Sequence, residues 1–324
     1  MKYLKKLFIL VIFISILSCK STDEKFNDAL ANKDYRKIKE IAQIDRNNEY
    51  TEFTETLLYR SYINRDLVAF KILLDNDANP DIAVNQNDNL LKLTFEEGEY
   101  DYVELLLKNG ANPNIVVKKG SDYNYIPFFI ITEKMNGLLP LIADNIDYSY
   151  IYEGGNTILH LSAKYSNPKD FKAILDKYDD VNIVNERNES PFLNACRTSN
   201  VENMFILVEN GADISQFSKY NYPWGIAIQN IYSKNDFRVA NFLIEYGPAL
   251  DEVVSHVGSS PLSHACELKN YEIAEYLLKN GASPYILDKR GYMPMSHFGG
   301  PHDYSQEEYD TFKTLFDKYD KENY

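Results

Sequence analysis

Cysteine is scarce in this 324-residue chain, with three residues, Cys19, Cys196 and Cys266. No cysteine pair accompanies a histidine, which removes a thiolate zinc site. Histidine is scarce too: His160, His256, His264, His297 and His302. His297 and His302 have the spacing of some zinc ligands, but Gly299-Gly300-Pro301 between them forbids a helix, so no metal is implied. Glycine numbers 14, and none stands in a phosphate-binding loop or a Gly-x-Ser-x-Gly elbow. Acid pairs such as Asp179-Asp180 and Glu307-Glu308 read as turns or solvated helix faces, where nothing forces two carboxylates together. Base is short relative to acid, 34 residues against 48, for a net charge of −14. Residues 1–18 hold three lysines and no acid, so a chain without them carries 31 − 48 = −17. Such a chain gains nothing from counterion release, which argues against nucleic acid as a partner. Anionic lipid would repel it as well, so attachment to a membrane would depend on a covalent lipid. The longest apolar run, Leu7 to Leu17 broken only by Ser15, is too short to cross a bilayer comfortably. These absences imply no enzyme, no cofactor and no metal.

Repetition is what the sequence has in abundance. Leu-Leu-Lys-Asn-Gly-Ala occurs at 106–111 and again at 277–282, a separation of 171 residues, close to five periods of 34. Gly110, Asn145, Tyr178, Gly211, Gly247 and Gly281 occupy equivalent positions between, with steps of 35, 33, 33, 36 and 34, and Asp77 lies 33 before the first. An apolar pair precedes each, among them Leu73-Leu74, Leu106-Leu107, Leu141-Ile142, Leu207-Val208 and Leu277-Leu278. The pattern predicts a helix ending in two buried aliphatics, then a left-handed C-cap at the glycine position. A second signature lies upstream: Thr157-Ile158-Leu159-His160, Ser190-Pro191-Phe192-Leu193, Tyr222-Pro223-Trp224-Gly225 and Ser260-Pro261-Leu262-Ser263. A hydroxyl before proline is a helix start, since the hydroxyl caps and proline is tolerated at the first helical position. Ala195, Ala227 and Ala265, five residues on, suit close approach of a neighbouring helix.

Together these motifs resemble the ankyrin repeat, from about Phe26 to about Tyr319, with room for roughly nine units. The resemblance implies an all-α repeat solenoid, a stack of helix-turn-helix units with β-turn fingers and a C-terminal cap. It also gives His160 a structural role, holding adjacent fingers by hydrogen bonds. The pattern is strong over 57–114 and 157–294 and weak in the first unit and over 118–151, where no good N-cap or C-cap glycine is found. In the unit at 222–250, Trp224-Gly225 replaces the usual Leu-His, about three residues are added near Ile231–Asp236, and a longer finger follows at 251–259. Cys196 and Cys266 stand two repeats apart. At ~8–10 Å per helix layer that is roughly 20 Å, against the ~4.4–6.8 Å a disulfide needs, so both are expected as small core side chains.

Residues 1–18 read as a signal peptide: Lys2, Lys5 and Lys6 precede the apolar run, and Ile16-Leu17-Ser18-Cys19 resembles a bacterial lipobox. Cys19 is then the lipid attachment site, residues 19–25 a lipid anchor and short tether, and 26–324 the solenoid. The protein is expected to be exported and lipid-anchored at the cell membrane or outer membrane. A plain signal peptide cleaved near Ser18, with Cys19 incidental, and an uncleaved anchor are the alternatives.

Tyrosine, at 26 residues, is unusually common. Tyr123 and Tyr125 fall in one finger, Tyr148, Tyr150 and Tyr152 in the next, and Tyr220 with Tyr222 and Trp224 in a third cluster. Tyr148, Tyr150 and Tyr152 alternate, so in an extended segment they would share a face. Tyr123, Tyr125, Tyr148, Tyr150, Tyr152 and Tyr220 are therefore candidate anchors for a protein partner; the competing reading packs them on neighbouring fingers, and Trp224 belongs to the core. The negative charge suits a basic partner. The implied function is a non-enzymatic interaction scaffold at the bacterial envelope. The alternative is a periplasmic accessory or chaperone-like protein that protects or neutralises a specific partner.

Overall fold

The structure is a computed structural model, and it describes residues 21–44, 57–215, 222–251, 258–298 and 305–322. The chain divides into two compact units: Met1–Ile126 with Asp144–Ile146, and Pro127–Ala143 with Asp147–Tyr324.

The first unit contains three antiparallel helix pairs: α1 (Thr22–Ala31) with α2 (Tyr35–Ile44), α3 (Leu57–Ile63) with α4 (Leu67–Leu74), and α5 (Leu90–Glu96) with α6 (Tyr100–Lys108). Helix α1 starts earlier than expected. Ser21 Oγ accepts from the Glu24 N–H at 3.2 Å while the Glu24 carboxylate accepts from the Ser21 N–H at 2.9 Å, a reciprocal cap. Second helices stack through α2 on α4 and α4 on α6. Between the helices of each pair one residue turns left-handed: Lys33 (φ 52°), Arg65 (φ 55°) and Gly98 (φ 77°). The next residue then opens the second helix, as where Asp66 accepts from the Ala69 N–H at 2.9 Å. A hairpin, β1 (Val116–Lys119) and β2 (Asp122–Tyr125), forms the last finger of this unit.

The second unit begins with α7 (Ile126–Thr132), whose first residue groups with the first unit, and α8 (Leu139–Ile142). Then come the pairs α9 (Ile158–Tyr165) and α10 (Pro168–Leu175), α11 (Pro191–Arg197) and α12 (Val201–Glu209), α13 (Pro223–Lys234) and α14 (Arg238–Tyr246), α15 (Pro261–Glu267) and α16 (Tyr271–Lys279). First helices stack in order, α9 on α11, α11 on α13 and α13 on α15. Ala195, Ala227 and Ala265 are fully buried in those contacts, as their size requires. Ser190 and Ser260 cap α11 and α15, with proline in the first turn of each. Buried asparagines tie each layer to the one before: Asn203 Nδ2 donates to the carbonyl of Ser166 at 2.9 Å, and Asn230 Nδ2 to that of Cys196 at 2.9 Å. Cys196 and Cys266 are free and buried, and burial pushes both thiols far above their usual range. The final helix, α17 (Gln306–Glu322), lays Phe312 4.3 Å from Phe298 and buries Leu315.

One expectation needs correction. The left-handed C-cap holds at Asp77 (φ 67°), Gly110 (φ 88°), Gly211 (φ 86°) and Gly281 (φ 96°), but not at Asn145, Tyr178 or Gly247. Gly247 is extended (φ −91°, ψ −176°) and is needed for space, since a Cβ there would lie 2.6 Å from the Leu243 carbonyl oxygen. Trp224-Gly225 has a similar origin. Trp224 is fully buried with its indole N–H directed at the Pro248 carbonyl (3.4 Å), and a Cβ on residue 225 would meet the Tyr222 ring at 3.0 Å. The added residues of this unit lengthen α13 to 12 residues and end it at Asn235 (φ 53°).

Candidate docking surfaces

In the first unit the hairpin is closed by Gly120 and Ser121, with Gly120 at φ 63°. Its register sets Val116 opposite Tyr125 and Lys118 opposite Tyr123. Because side chains alternate along a strand, these four share one face, and Val117, Lys119, Asp122 and Asn124 share the other. Val117 is fully buried, so its face points inward. The outer face carries Tyr123, 65% exposed, and Val116, 44% exposed. Lys118 Nζ lies 5.5 Å from the Tyr123 ring centroid, a cation over an aromatic face. Lys119 Nζ donates to the Tyr100 hydroxyl at 2.9 Å. Beside the hairpin, a hollow of about 400 Å³ is lined by Asn85, Asn87, Asp88, Lys92, Ile115 and Val116.

In the second unit the tyrosines behave differently. Tyr148 donates its hydroxyl to the Ala143 carbonyl at 2.8 Å and meets Tyr178 edge-on at 5.5 Å. Asp147 accepts from the Ser149 N–H and hydroxyl, which turns the chain at 148 and 149. Those bonds hold the Asp147 carboxyl below its ordinary pKa. Tyr152 is buried, stacked on Phe128 at 5.8 Å and contacted edge-on by Tyr150 at 4.8 Å. The segment is not extended, and Tyr148, Tyr150 and Tyr152 do not present a common open face. Tyr220 and Cys19 lie outside the described residues. Tyr222 is buried, which pushes its hydroxyl up to about 12.

A groove of about 550 Å³ runs between the fingers and first helices of the second unit, with Tyr152, Lys164, Tyr165, Arg187, Asn194 and Arg197 among its walls. Arg197 is tied to the buried carboxylate of Glu189. His160 spans the same fingers: Nδ1 accepts from the Thr157 N–H at 3.2 Å and Nε2 donates to the Glu189 carbonyl at 2.9 Å. Burial holds its pKa at about 4. His264 is likewise lowered by burial. His297 is held inside the C-terminal cap, with Nδ1 2.9 Å from Glu267 and Nε2 3.1 Å from Asp288. Among the described residues no group of three or more His, Cys, Asp or Glu is placed to hold a metal, and no helix is long and apolar enough to cross a membrane.

Comparison with known proteins gives the same repeat. Residues 257–289 match the ankyrin-repeat family model. The ankyrin repeat domain of Bcl-3 superposes with a TM-score of 0.52 over 71% of this chain and all of that domain, at 18% identity. The fold is an ankyrin-repeat stack. YahD of Escherichia coli (strain K12), described as an ankyrin repeat protein, is 24% identical over 159 residues, 48% of this chain and 78% of YahD. The ankyrin repeat protein nuc-2 of Neurospora crassa is 27% identical over 117 residues, 36% of this chain but 11% of that protein.

The hairpin's outer face was half legible. Tyrosine content pointed to Tyr123 and Tyr125, whereas Val116 and Lys118 join them only through the register. Val-Val-Lys-Lys, Gly-Ser, then Asp-Tyr-Asn-Tyr is the local signal that carries it.

Proposed function

We propose that this chain is a non-enzymatic protein-interaction scaffold that holds one protein partner through the hairpin finger. One observation carries the reading: Tyr123 and Val116 are large, exposed and set beside Lys118 on one face of an ordered hairpin. A truncated anchor at the centre of an interface commonly costs about 2 kcal/mol or more, a rim residue little. Capture of the partner by photo-crosslinking from position 123 in intact cells is the test, with Tyr123→Ala compared against Tyr309→Ala on α17. Equal capture by both folded variants would remove the hairpin from the interface and leave the groove of the second unit.

The basic, apolar and Ile-Leu-Ser-Cys segments support attachment of the scaffold to the bacterial envelope through lipid on Cys19. One acyl chain binds a membrane marginally and two bind stably, so the product should sediment with membranes. Cys19→Ser should leave precursor or release the protein; labelled fatty acid still carried by that variant would end the assignment. The second reading, a periplasmic accessory or chaperone-like protein, predicts instead that a labile client is protected without a stoichiometric complex.

A further inference from the structure

In an antiparallel pair, opposed residues either exchange both ladder bonds or neither. The Ile126 N–H donates to the Ile115 carbonyl at 3.2 Å, so 115 and 126 are a bonded pair. Counting along the register, 117 with 124 and 119 with 122 are bonded, while 116 with 125 and 118 with 123 turn their backbone groups outward. The outward groups have different fates. On β1 the Lys118 N–H is taken by the Glu96 carboxylate at 2.7 Å. On β2 the Tyr125 N–H is taken by the Asn124 side chain at 2.9 Å. Tyr123 turns its N–H and C=O to the outer edge of a sheet that has only two strands among the described residues. Edge strands are ordinarily blunted by charge or proline; this one offers Asp-Tyr-Asn-Tyr, with its lysines on the inner strand.

We propose that the outer edge of β2 accepts an extended segment of the protein partner as a third strand centred on Tyr123. This rests on the reading of the hairpin as the docking finger. Main-chain bonds would give such a segment its affinity and alternate side chains its specificity. Residues facing Tyr123 and Tyr125 would be apolar. A residue reaching Lys118 would be acidic, to meet the ammonium that lies over the Tyr123 ring.

The test pans a phage-displayed library of short random peptides against the full chain. Enriched peptides should carry apolar and acidic residues two positions apart, on the face shared with Tyr123 and Lys118, and lack proline. Tyr123→Pro removes the ring, as Tyr123→Ala does, and in addition one outward N–H while sparing the ladder bonds, so it should weaken an enriched peptide about tenfold more than Tyr123→Ala. Methylating the peptide amides one at a time should reproduce that loss at alternate positions on the unaltered protein, which covers the case of a misfolded proline variant. Peptides indifferent to both changes, or no enrichment over the Tyr123→Pro chain, would overturn the proposal. So would a dimer of this chain that Tyr123→Pro dissolves, because the occupant would then be a second copy. Partner capture that depends on Tyr123→Ala while peptide methylation has no effect would sink strand addition and leave the docking finger standing.

Discussion

His160 is fully buried and neutral, and its two ring nitrogens already have a donor and an acceptor in place. A second ring proton would face the Thr157 N–H. The folded pKa is about 4 against an ordinary 6.5. Between those values the unfolded chain binds a proton that the folded chain refuses, so stability is complete above 6.5 and falls as pH falls toward 4. From pH 7 to pH 5 the loss should be about 2 kcal/mol, read by urea unfolding across that range. His160→Gln should flatten the dependence; an unchanged slope would move the acid sensitivity elsewhere. Backbone positions give a second contrast. Gly247→Ala drives a Cβ into the Leu243 backbone and should cost about 2 kcal/mol or more. Asp77→Gly relieves a left-handed residue and should add up to about 1 kcal/mol. Asn145, without a left-handed conformation to relieve, should gain nothing from glycine. Urea midpoints of the three variants decide the order.

Among the helices, α8 is the weakest construction. It has four residues, begins at Leu138 without a side-chain cap, and runs into a short 3-10 turn at Ala143–Asn145. Asp170 compensates in part by accepting from the Gly137 N–H at 2.9 Å. Few residues fixed by few bonds open easily. Amides at 126–146 should therefore exchange faster than those at 190–215, and equal rates would contradict this. The weakness was visible in the sequence as a missing cap and glycine. The helix pairs were visible because serine-proline caps and aliphatic pairs are local signals. The turns between helices were not: Lys33, Arg65, Lys134, Ser199 and Lys269 are left-handed without being glycine, so no residue type marks them. Ser21 and Glu24 carry the capping spacing that starts α1, a local signal before the first repeat pattern. At the docking surface, alternation of Tyr148, Tyr150 and Tyr152 promised a shared face only for an extended strand, and the Asp147 turn removes that premise. Tyr123 and Tyr125 do lie on a strand, where the same rule holds.

Repeats that contact only their neighbours make stability a sum of local terms over the molecule. The asparagine ties test this directly, because each belongs to one junction. Asn230 is buried, and its amide satisfies the Cys196 carbonyl at 2.9 Å and reaches the Ser199 hydroxyl at 3.3 Å. Asn230→Ala removes the inter-layer donor and leaves that carbonyl only the Ser199 N–H at 3.1 Å, inside the α11 and α13 contact, at a cost of about 1 kcal/mol. In a protein with one cooperative core, such a loss would lower the protection of every slow amide alike. In a nearest-neighbour stack it should be confined: amides at 190–246 should exchange faster by the factor that this free energy dictates, about tenfold for each 1.4 kcal/mol. Amides at 57–108 should be unchanged. Loss of protection at 57–108 equal to that at 190–246 would mean the two compact units unfold together, and stability could then no longer be assigned junction by junction.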